Sequence, residues 1–243
     1  MPVLRLEELQ AVRNYLDAEV NRNVTIKMYT ASSGGIIIPG RECTGCRPVQ
    51  DLLAEVSGLS PKVTLETIDY HANLADAQKD GVARIPAFTV GRNNASRMRY
   101  FGTPSDRLLG VLVSALIGAS TNKSPLKLDT RRRLRRLKED AHIQVFVARD
   151  GQYCSETASL AYAMARESPK VTTDVIEVGS FPDLPSLYSI RGVPKTMING
   201  RVQFTGAMTE EVFLKQVLRA TGEVEAGGEQ IVDYSDQMTP LAR

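Results

Sequence analysis

Hydrophobic and polar positions follow the same order twice along the chain. Four segments have the alternating or continuous apolar character of buried strands: 23–31, 62–70, 142–148 and 170–178. A helix-period segment separates the two strands of each pair. Each half then continues with a short helical stretch, a branched residue before proline, a hairpin and a closing helix at 105–119 or 209–220. Both halves therefore predict the element order β-α-β-α-β-β-α.

This repetition predicts two copies of one fold. The fold class is α/β, with two tandem units, each a mixed sheet flanked by helices. Amphipathic stretches at 6–19 and 130–141 precede the two copies. The predicted divisions are listed in chain order: a first unit at 1–121, a linker at 122–128, a second unit at 129–222 and a C-terminal tail at 223–243.

Charge and hydropathy exclude several classes of protein. The formal net charge is only +2, which argues against binding to nucleic acid by phosphate neutralisation. The basic run Arg131–Arg136 could form an anion patch, but Leu134, Leu137 and Ala141 make an apolar stripe, so we read the arginines as a solvated outer face. The longest nearly uncharged apolar stretch, 108–119, is too short to span a membrane. With no visible secretory signal, we expect a cytoplasmic protein.

Cys43 and Cys46 form a Cys-x-x-Cys pair, CTGC, between a predicted strand and a predicted helix. The first sulfur is then expected at a helix N-terminus, where free N–H groups and the dipole favour a thiolate. One turn further on, Cys46 is placed to attack a mixed disulfide formed at Cys43. Pro48 fits this arrangement, because proline is tolerated in the first turn of a helix. The pair therefore predicts a redox-active disulfide, with Cys43 as nucleophile and Cys46 as resolving thiol.

Two other interpretations of the pair remain open. The sulfurs could join a structural zinc site, but only Cys154, His71 and His142 are left as further soft or imidazole ligands, and none of them is paired at ligand spacing. The pair could also be an inert surface feature. In a reducing compartment, a close cysteine pair is more often redox-active than structural. We therefore favour a redox-active pair over a zinc site or an inert surface pair, and we predict no metal site.

Two prolines occupy matching positions in the repeats. Ile85-Pro86 and Val193-Pro194 each open a strand, and we predict that both peptide bonds are cis. Such a segment could present its backbone to an extended substrate beside the thiolate. Thr44, Gly45, Ile85 and Pro86 are therefore the predicted substrate-binding residues.

The element order, CTGC and the Ile-Pro strand resemble the thioredoxin fold, and the doubling resembles the protein disulfide oxidoreductases built from two fused thioredoxin-like (glutaredoxin-like) units. The likeness runs over about residues 1–221 and is closest at 99–112, 142–148 and 174–218. The resemblance implies thiol–disulfide exchange on protein substrates, with Pro86 and Pro194 beside the cysteines of their units. It also implies an NADPH-dependent thioredoxin reductase-like flavoprotein as electron source, and no bound cofactor beyond the disulfide.

The chain departs from this family in its second unit. Cys154 stands alone there, with Thr157 where a resolving cysteine would be expected. We predict a degenerate site of Cys154, Val193 and Pro194 that supports or binds substrate. The alternatives are a monothiol that captures glutathione or another mixed disulfide, or one that exchanges with Cys43.

The first unit departs in another way. Six additional residues separate its strand-end alanine from Cys43, and this 32–40 insertion contains an apolar triplet. The triplet could dock a substrate or partner, or could pack on its own domain or on a twin subunit.

The predicted function is thiol–disulfide exchange on protein disulfides through Cys43 and Cys46. The alternatives are a thioredoxin-like binding or adaptor module, and an electron relay dedicated to one peroxidase or reductase. The sequence leaves the redox direction open, because the reduction potential depends on surroundings that it does not show.

Overall fold

The first unit forms the predicted elements in the predicted order. The computed structural model describes residues 3–31, 42–92, 97–121, 123–223 and 239–240. The elements of the first unit are α1 (Leu6–Glu19), β1 (Val24–Thr30), α2 (Cys46–Ser57), β2 (Val63–Asp69), α3 (Leu74–Lys79), β3 (Ala87–Gly91), β4 (Met98–Phe101), a 3-10 turn (Asp106–Leu108) and α4 (Leu109–Ser120). The expected helix at 105–119 is thus a 3-10 turn that continues as an α-helix.

The second unit repeats this order. Its elements are α5 (Leu128–Leu134), β5 (Ala141–Val147), α6 (Cys154–Glu167), β6 (Val171–Glu177), a 3-10 turn (Val178–Ser180), α7 (Leu184–Leu187), β7 (Gly192–Val193), β8 (Lys195–Ile198), β9 (Val202–Thr205) and α8 (Glu210–Ala220), followed in the tail by β10 (Thr239–Pro240). The helix expected over 130–141 is shorter and lies further upstream, because α5 ends at Leu134. At α8 the side chain of Thr209 caps the helix by accepting the N–H of Val212.

A single eight-stranded sheet runs through both units, in the order β2-β1-β3-β4-β6-β5-β8-β9. The sequence predicted one mixed sheet for each unit and gave no sign that they join. They join because β4 pairs in parallel with β6, from Met98 opposite Thr173 to Phe101 opposite Ile176. All four residues of β4 are buried, as expected of an interior strand and not of an edge.

Polar side chains, most of them buried, reinforce this seam between the units. The Arg99 guanidinium donates to the Asp174 carboxylate, and Nε2 of His142 lies 2.6 Å from the other oxygen of Asp174. The hydroxyl of Tyr162 donates to the carbonyl of Arg99 at 2.8 Å. Removing one partner of a buried ion pair leaves an uncompensated charge, so these contacts oppose separation of the units.

The helices cover the two faces of the sheet and supply most of the remaining core. In α2 the inward positions Val49, Leu53 and Val56 are fully buried, as the helical period predicts. Helix α4 of the first unit packs against α6 of the second. Among the described residues, no helix combines the length and the apolar character needed to cross a membrane.

The strand directions bring the two cysteine regions to one edge of the sheet. Strands β3 and β4 are antiparallel neighbours, β1 is antiparallel to β3, and β4, β6 and β5 run parallel. Hence β1 and β5 point the same way, and their carboxyl ends lie at the same edge. Both α2 and α6 begin beyond these ends.

Candidate functional site

Cys43 and Cys46 are joined by a disulfide, with 5.4 Å between their Cα atoms. Cys46 is the first residue of α2 and is only 4% exposed, whereas Cys43 is partly exposed in the turn just before the helix. The N–H of Cys46 donates to the carbonyl of Cys43 at 3.3 Å, which closes that turn. The predicted arrangement is therefore present, with the helix beginning at the second cysteine and Pro48 in its first turn.

The end of β1 contacts the buried sulfur. The N–H of Ala31 donates to Sγ of Cys46 at 3.4 Å, and the N–H of Val49 closes the first turn of α2 on the carbonyl of Gly45 at 3.3 Å. A backbone donor on Cys46 stabilises negative charge there when the disulfide is open. The sequence gave no sign of this donor beyond the alanine that ends the strand.

The structure describes only some of the charged residues around Cys43 and Cys46. Arg47, which could favour a thiolate, is turned toward Asp51 and forms an exposed ion pair with it at 2.9 Å. Glu42 is exposed to solvent. Arg41 and the 32–40 insertion lie outside the described residues, so the docking or packing role predicted for the insertion stays a prediction.

The predicted substrate-binding residues meet at the start of α2. The Ile85-Pro86 peptide bond is cis, as predicted. A β carbon added to Gly45 would lie 3.2 Å from Cγ of Pro86, so a glycine here lets the turn approach the proline closely. Pro86 is buried, Ile85 is partly exposed and Thr44 is exposed. The structure thus places Gly45 against Pro86, with Thr44 and Ile85 next to them in the chain.

The same framework recurs in the second unit. The Val193-Pro194 bond is also cis, and the carbonyl of Pro194 accepts the N–H of Gly206 at 2.8 Å, just as that of Pro86 accepts the N–H of Gly102 at 2.9 Å. Val193 and Pro194 are both buried. The predicted match between the two prolines is confirmed.

Cys154 corresponds to a different cysteine of the first unit from the one that the sequence predicted. Cys154 is the first residue of α6, as Cys46 is of α2, and its N–H donates to the carbonyl of Gly151 at 3.3 Å as that of Cys46 donates to Cys43. Cys154 therefore corresponds to Cys46, and Gly151 corresponds to Cys43. The expectation that Cys154 matches Cys43, with Thr157 in the resolving position, is wrong. The second unit retains the buried cysteine and has glycine in place of the exposed one.

Cys154 has the surroundings of a core residue. Its side chain is fully buried, and burial raises the pKa of its thiol to about 11, while a backbone hydrogen bond from Ala148 acts in the opposite direction. A β carbon on Gly151 would lie 2.3 Å from Sγ of Cys154, so the sulfur fills the space that a side chain would take. These surroundings disfavour capture of glutathione and exchange with Cys43, because both need an accessible thiolate.

No alternative metal-binding cluster is assembled in the parts of the chain that the structure describes: no group of three or more histidine, cysteine, aspartate and glutamate side chains lies close enough to hold an ion. His142, one of the ligands considered from the sequence, lies instead against Asp174 at the seam between the units. Both sulfurs of CTGC are used in their mutual bond.

Comparison with known proteins supports the resemblance noted from the sequence. Residues 141–219, most of the second unit, match the thioredoxin domain family Thioredoxin_3. A protein disulfide oxidoreductase from Aeropyrum pernix K1 has a similar structure, with a TM-score of 0.80 and 24% sequence identity over 92% of this chain and 97% of that one. The tandem thioredoxin fold predicted from the repeat is thus confirmed.

A domain of a reductase and a longer curated protein are also similar to this chain. The NTD_N/C domain of alkyl hydroperoxide reductase AhpF from Enterococcus faecalis has a TM-score of 0.79 and 21% identity, over 88% of this chain and 99% of that domain. A protein named NADH dehydrogenase from Ferdinandcohnia aciditolerans is 24% identical over 174 residues, which are 69% of this chain and 34% of the relative. The chain spans about a third of the length of the curated relatives it matches.

Proposed function

We propose that this chain is a thiol–disulfide oxidoreductase that acts on protein disulfides through Cys43 and Cys46. The observation that carries the proposal is the disulfide at the start of α2, with one buried sulfur, one more exposed sulfur and Pro86 beside the connecting turn. In this cycle the structure represents the oxidised state, and the active reductant is the dithiol.

Cys43 is the attacking residue. It is the more exposed of the two cysteines and lies at the N-terminal end of a 12-residue helix, whose dipole favours a thiolate over a thiol. Its thiolate attacks one sulfur of the substrate disulfide and forms a mixed disulfide. The other substrate sulfur leaves as a thiolate and takes up a proton from water.

Cys46 resolves the mixed disulfide. It loses its proton and attacks Sγ of Cys43, which re-forms the Cys43–Cys46 bond and releases the second substrate sulfur as a thiol. The hydrogen bond from Ala31 stabilises the Cys46 thiolate during this step. Two electrons and two protons have then passed from the dithiol to the substrate.

Substrate binding is assigned to Thr44, Gly45, Ile85 and Pro86. The second unit supports this assignment, because Val193, the residue before its matching proline, pairs with Thr239 of β10 in an antiparallel bridge. A segment at this place in the fold therefore accepts an extended strand through its backbone. We assign to Ile85 the same role toward a substrate, and to the second unit a supporting or substrate-binding role.

Regeneration of the dithiol needs an external electron donor. We propose an NADPH-dependent thioredoxin reductase-like flavoprotein for this step, in the cytoplasm, with no cofactor bound by this chain beyond its own disulfide. The architecture shared with a domain of an alkyl hydroperoxide reductase supports a flavoprotein source, since thiol relays of this kind pass electrons by the same exchange chemistry.

Reduction of insulin by dithiothreitol tests the proposal. The wild-type chain should accelerate the reaction, and Cys43→Ser should reduce the rate to that of dithiothreitol alone, because no thiolate remains to attack. Equal acceleration by wild type and Cys43→Ser would reject Cys43 as the attacking residue. No acceleration by the wild type would reject the proposal and favour a binding or adaptor module. Partner binding that persists after alkylation of Cys43 would support that same alternative.

A second candidate function is a dedicated electron relay to one peroxidase or reductase. It is favoured by the coverage of 99% of the AhpF domain. Slow insulin reduction combined with fast reduction of a purified peroxiredoxin by the dithiol form would select the relay. Fast reduction of both substrates would select the general oxidoreductase.

A further inference from the structure

A cavity of about 580 Å³ lies where the two units meet. It is at the opposite end of the strands from the disulfide. The first unit contributes the end of β3, the start of β4 and the end of α4, and the second unit contributes α5 and the end of α6. Its position follows from the strand register, since Gly91 in its wall lies opposite Thr25 near the start of β1. The cavity is therefore separate from the proposed redox site.

The cavity wall is strongly cationic. It contains one glutamate, Glu167, and five arginines: Arg92, Arg97, Arg131, Arg135 and Arg166. The buried carboxylate of Glu167 is shared by Arg131 at 3.1 Å and Arg135 at 2.6 Å. One carboxylate thus faces five guanidinium groups, and most of the positive charge of the wall is not offset by it.

Two other arginines of the wall donate hydrogen bonds to backbone carbonyls of described residues. Nε of Arg97 donates to the carbonyl of Ala165 at 3.1 Å, and Nη2 of Arg166 donates to the carbonyl of Lys123 at 2.5 Å. Carbonyl acceptors fix the direction of a guanidinium but leave its charge in place. Burial also lowers the pKa of Arg166, so its charge is held partly out of water. A bound anion would offset this cost.

Two arginines of the basic run contribute to the cavity wall. The sequence favoured a solvated outer face for the whole run Arg131–Arg136, and Arg132, Arg133, Arg135 and Arg136 are indeed exposed, whereas Arg131 is partly buried. Arg131 and Arg135 both line the cavity, because positions four apart lie on the same face of a helix and both side chains reach Glu167.

We propose that this cavity binds a small organic phosphate of nucleotide size. Every cation in the wall is an arginine, whose planar fork matches the oxygens of a phosphate better than the point charge of a lysine does. The volume falls within the range of about 300–1,000 Å³ usual for small-molecule sites and exceeds the needs of a lone inorganic anion. Val90, Met98 and Ala119 supply an apolar wall for the rest of the ligand.

Calorimetric titration of the full chain with ADP, pyrophosphate and adenosine, at one fixed ionic strength, tests this site. We expect ADP to bind with a dissociation constant below 1 mM, pyrophosphate to bind more weakly because it lacks the apolar contacts, and adenosine not to bind. Among the described residues no carboxylate pairs with Arg92, so Arg92→Ala removes a ligand contact without breaking an internal ion pair. It should weaken ADP binding roughly tenfold.

Arg133→Ala is the matched control, because it removes the same charge from the exposed face of α5. It should change ADP affinity less than about twofold. An equal loss in both variants, binding of adenosine as tight as that of ADP, or no ADP binding at 5 mM would each overturn the proposal. Insulin reduction by Arg92→Ala should equal that of the wild type, so failure here and failure of the proposed function are distinguishable.

Discussion

The two cysteine regions of this molecule share a backbone framework, and the difference that matters most for their chemistry is at one position. In each, a buried cysteine opens a helix beside the end of a strand, and a cis-proline carbonyl is tied to a later glycine. The first region has Cys43 in the preceding turn, and the second has Gly151 there. Because of this difference, the first region can form a dithiol, whereas the second has one buried thiol without a partner cysteine.

The comparison shows that the fold alone does not make a cysteine reactive. Cys46 and Cys154 hold the same position at the N-terminus of a helix, yet burial raises the pKa of Cys154 to about 11. At such a site desolvation outweighs the helix dipole. Reactivity in the first unit therefore depends on Cys43, which lies further out, in the turn.

The largest expected difference is between Cys46→Ser and Cys154→Ser, which change the same atom in equivalent positions. Cys46→Ser should lower the rate of insulin reduction by at least about 100-fold. When the reduced variant is mixed with insulin without dithiothreitol, mixed disulfides should accumulate at Cys43, because no protein thiol beside Cys43 remains to resolve them. Cys154→Ser should keep the rate within about twofold. Non-reducing gels and steady-state rates measure both effects, and equal losses in the two variants would contradict the division between the units.

The next largest expected effect is the formation of a second disulfide in Gly151→Cys. The variant restores the missing partner in the second unit, where a new β carbon lies close to Sγ of Cys154, so we expect a second disulfide after a small rotation of the Cys154 side chain. Mass spectrometry after alkylation in denaturant, which exposes the buried thiols, should then show no free thiol in the oxidised variant. The control is Gly110→Cys, with nothing within 4 Å of its β carbon. In denaturant both of its free thiols should be alkylated, and the same result for Gly151→Cys would mean that the two regions are not equivalent.

A smaller effect on the rate of insulin reduction is expected from replacing Gly45 in the first cysteine region. Gly45→Ala places a methyl group 3.2 Å from Pro86 and should slow insulin reduction by about three- to tenfold, since a small misplacement near the reacting atoms is costly. Gly110→Ala, at the exposed second residue of α4, should leave the rate unchanged and raise the free energy of unfolding by up to about 0.5–1 kcal/mol. An unchanged rate in Gly45→Ala would show that the turn does not need its contact with Pro86.

The smallest effect concerns the pH dependence of stability. The raised pKa of Cys154 means that the native state holds its proton more tightly than the unfolded chain, so this contribution to stability is fully present below the pKa of the unfolded thiol. It is lost as the pH rises toward about 11. Urea unfolding between pH 8 and pH 11 should show a steeper loss for the wild type than for Cys154→Ser. Parallel curves would contradict the burial of this thiol.

Much of the fold could be predicted because its signals are local. Helix α1 has the predicted bounds, and the four long strands begin and end within one residue of the predicted positions, since alternation of apolar residues reports burial directly. The cis-prolines could be predicted from their repetition. The pairing of β4 with β6 could not, because the partners lie about 75 residues apart and either strand could have been an edge.

The error at Cys154 has a traceable cause. The insertion after Ala31 lengthens the stretch between the strand-end alanine and the cysteines in the first unit only, so distances counted from the alanines do not align the two units. Counting back from the prolines avoids the insertion: 40 residues separate Cys46 from Pro86, and 40 separate Cys154 from Pro194. This spacing would have placed Gly151 opposite Cys43.

The continuous hydrogen-bonded sheet from β2 to β9 fixes the distance between the two cis-proline regions. Pro86 and Pro194 precede β3 and β8, which lie four strand positions apart in the same sheet. At a strand spacing of about 4.8 Å, the two prolines are held roughly 19 Å apart whatever the linker does. On the proposed substrate-binding role of the second unit, an extended substrate segment of about six residues spans this distance once β10 leaves Val193. Two binding motifs at this interval would then gain avidity that closer or wider intervals lack.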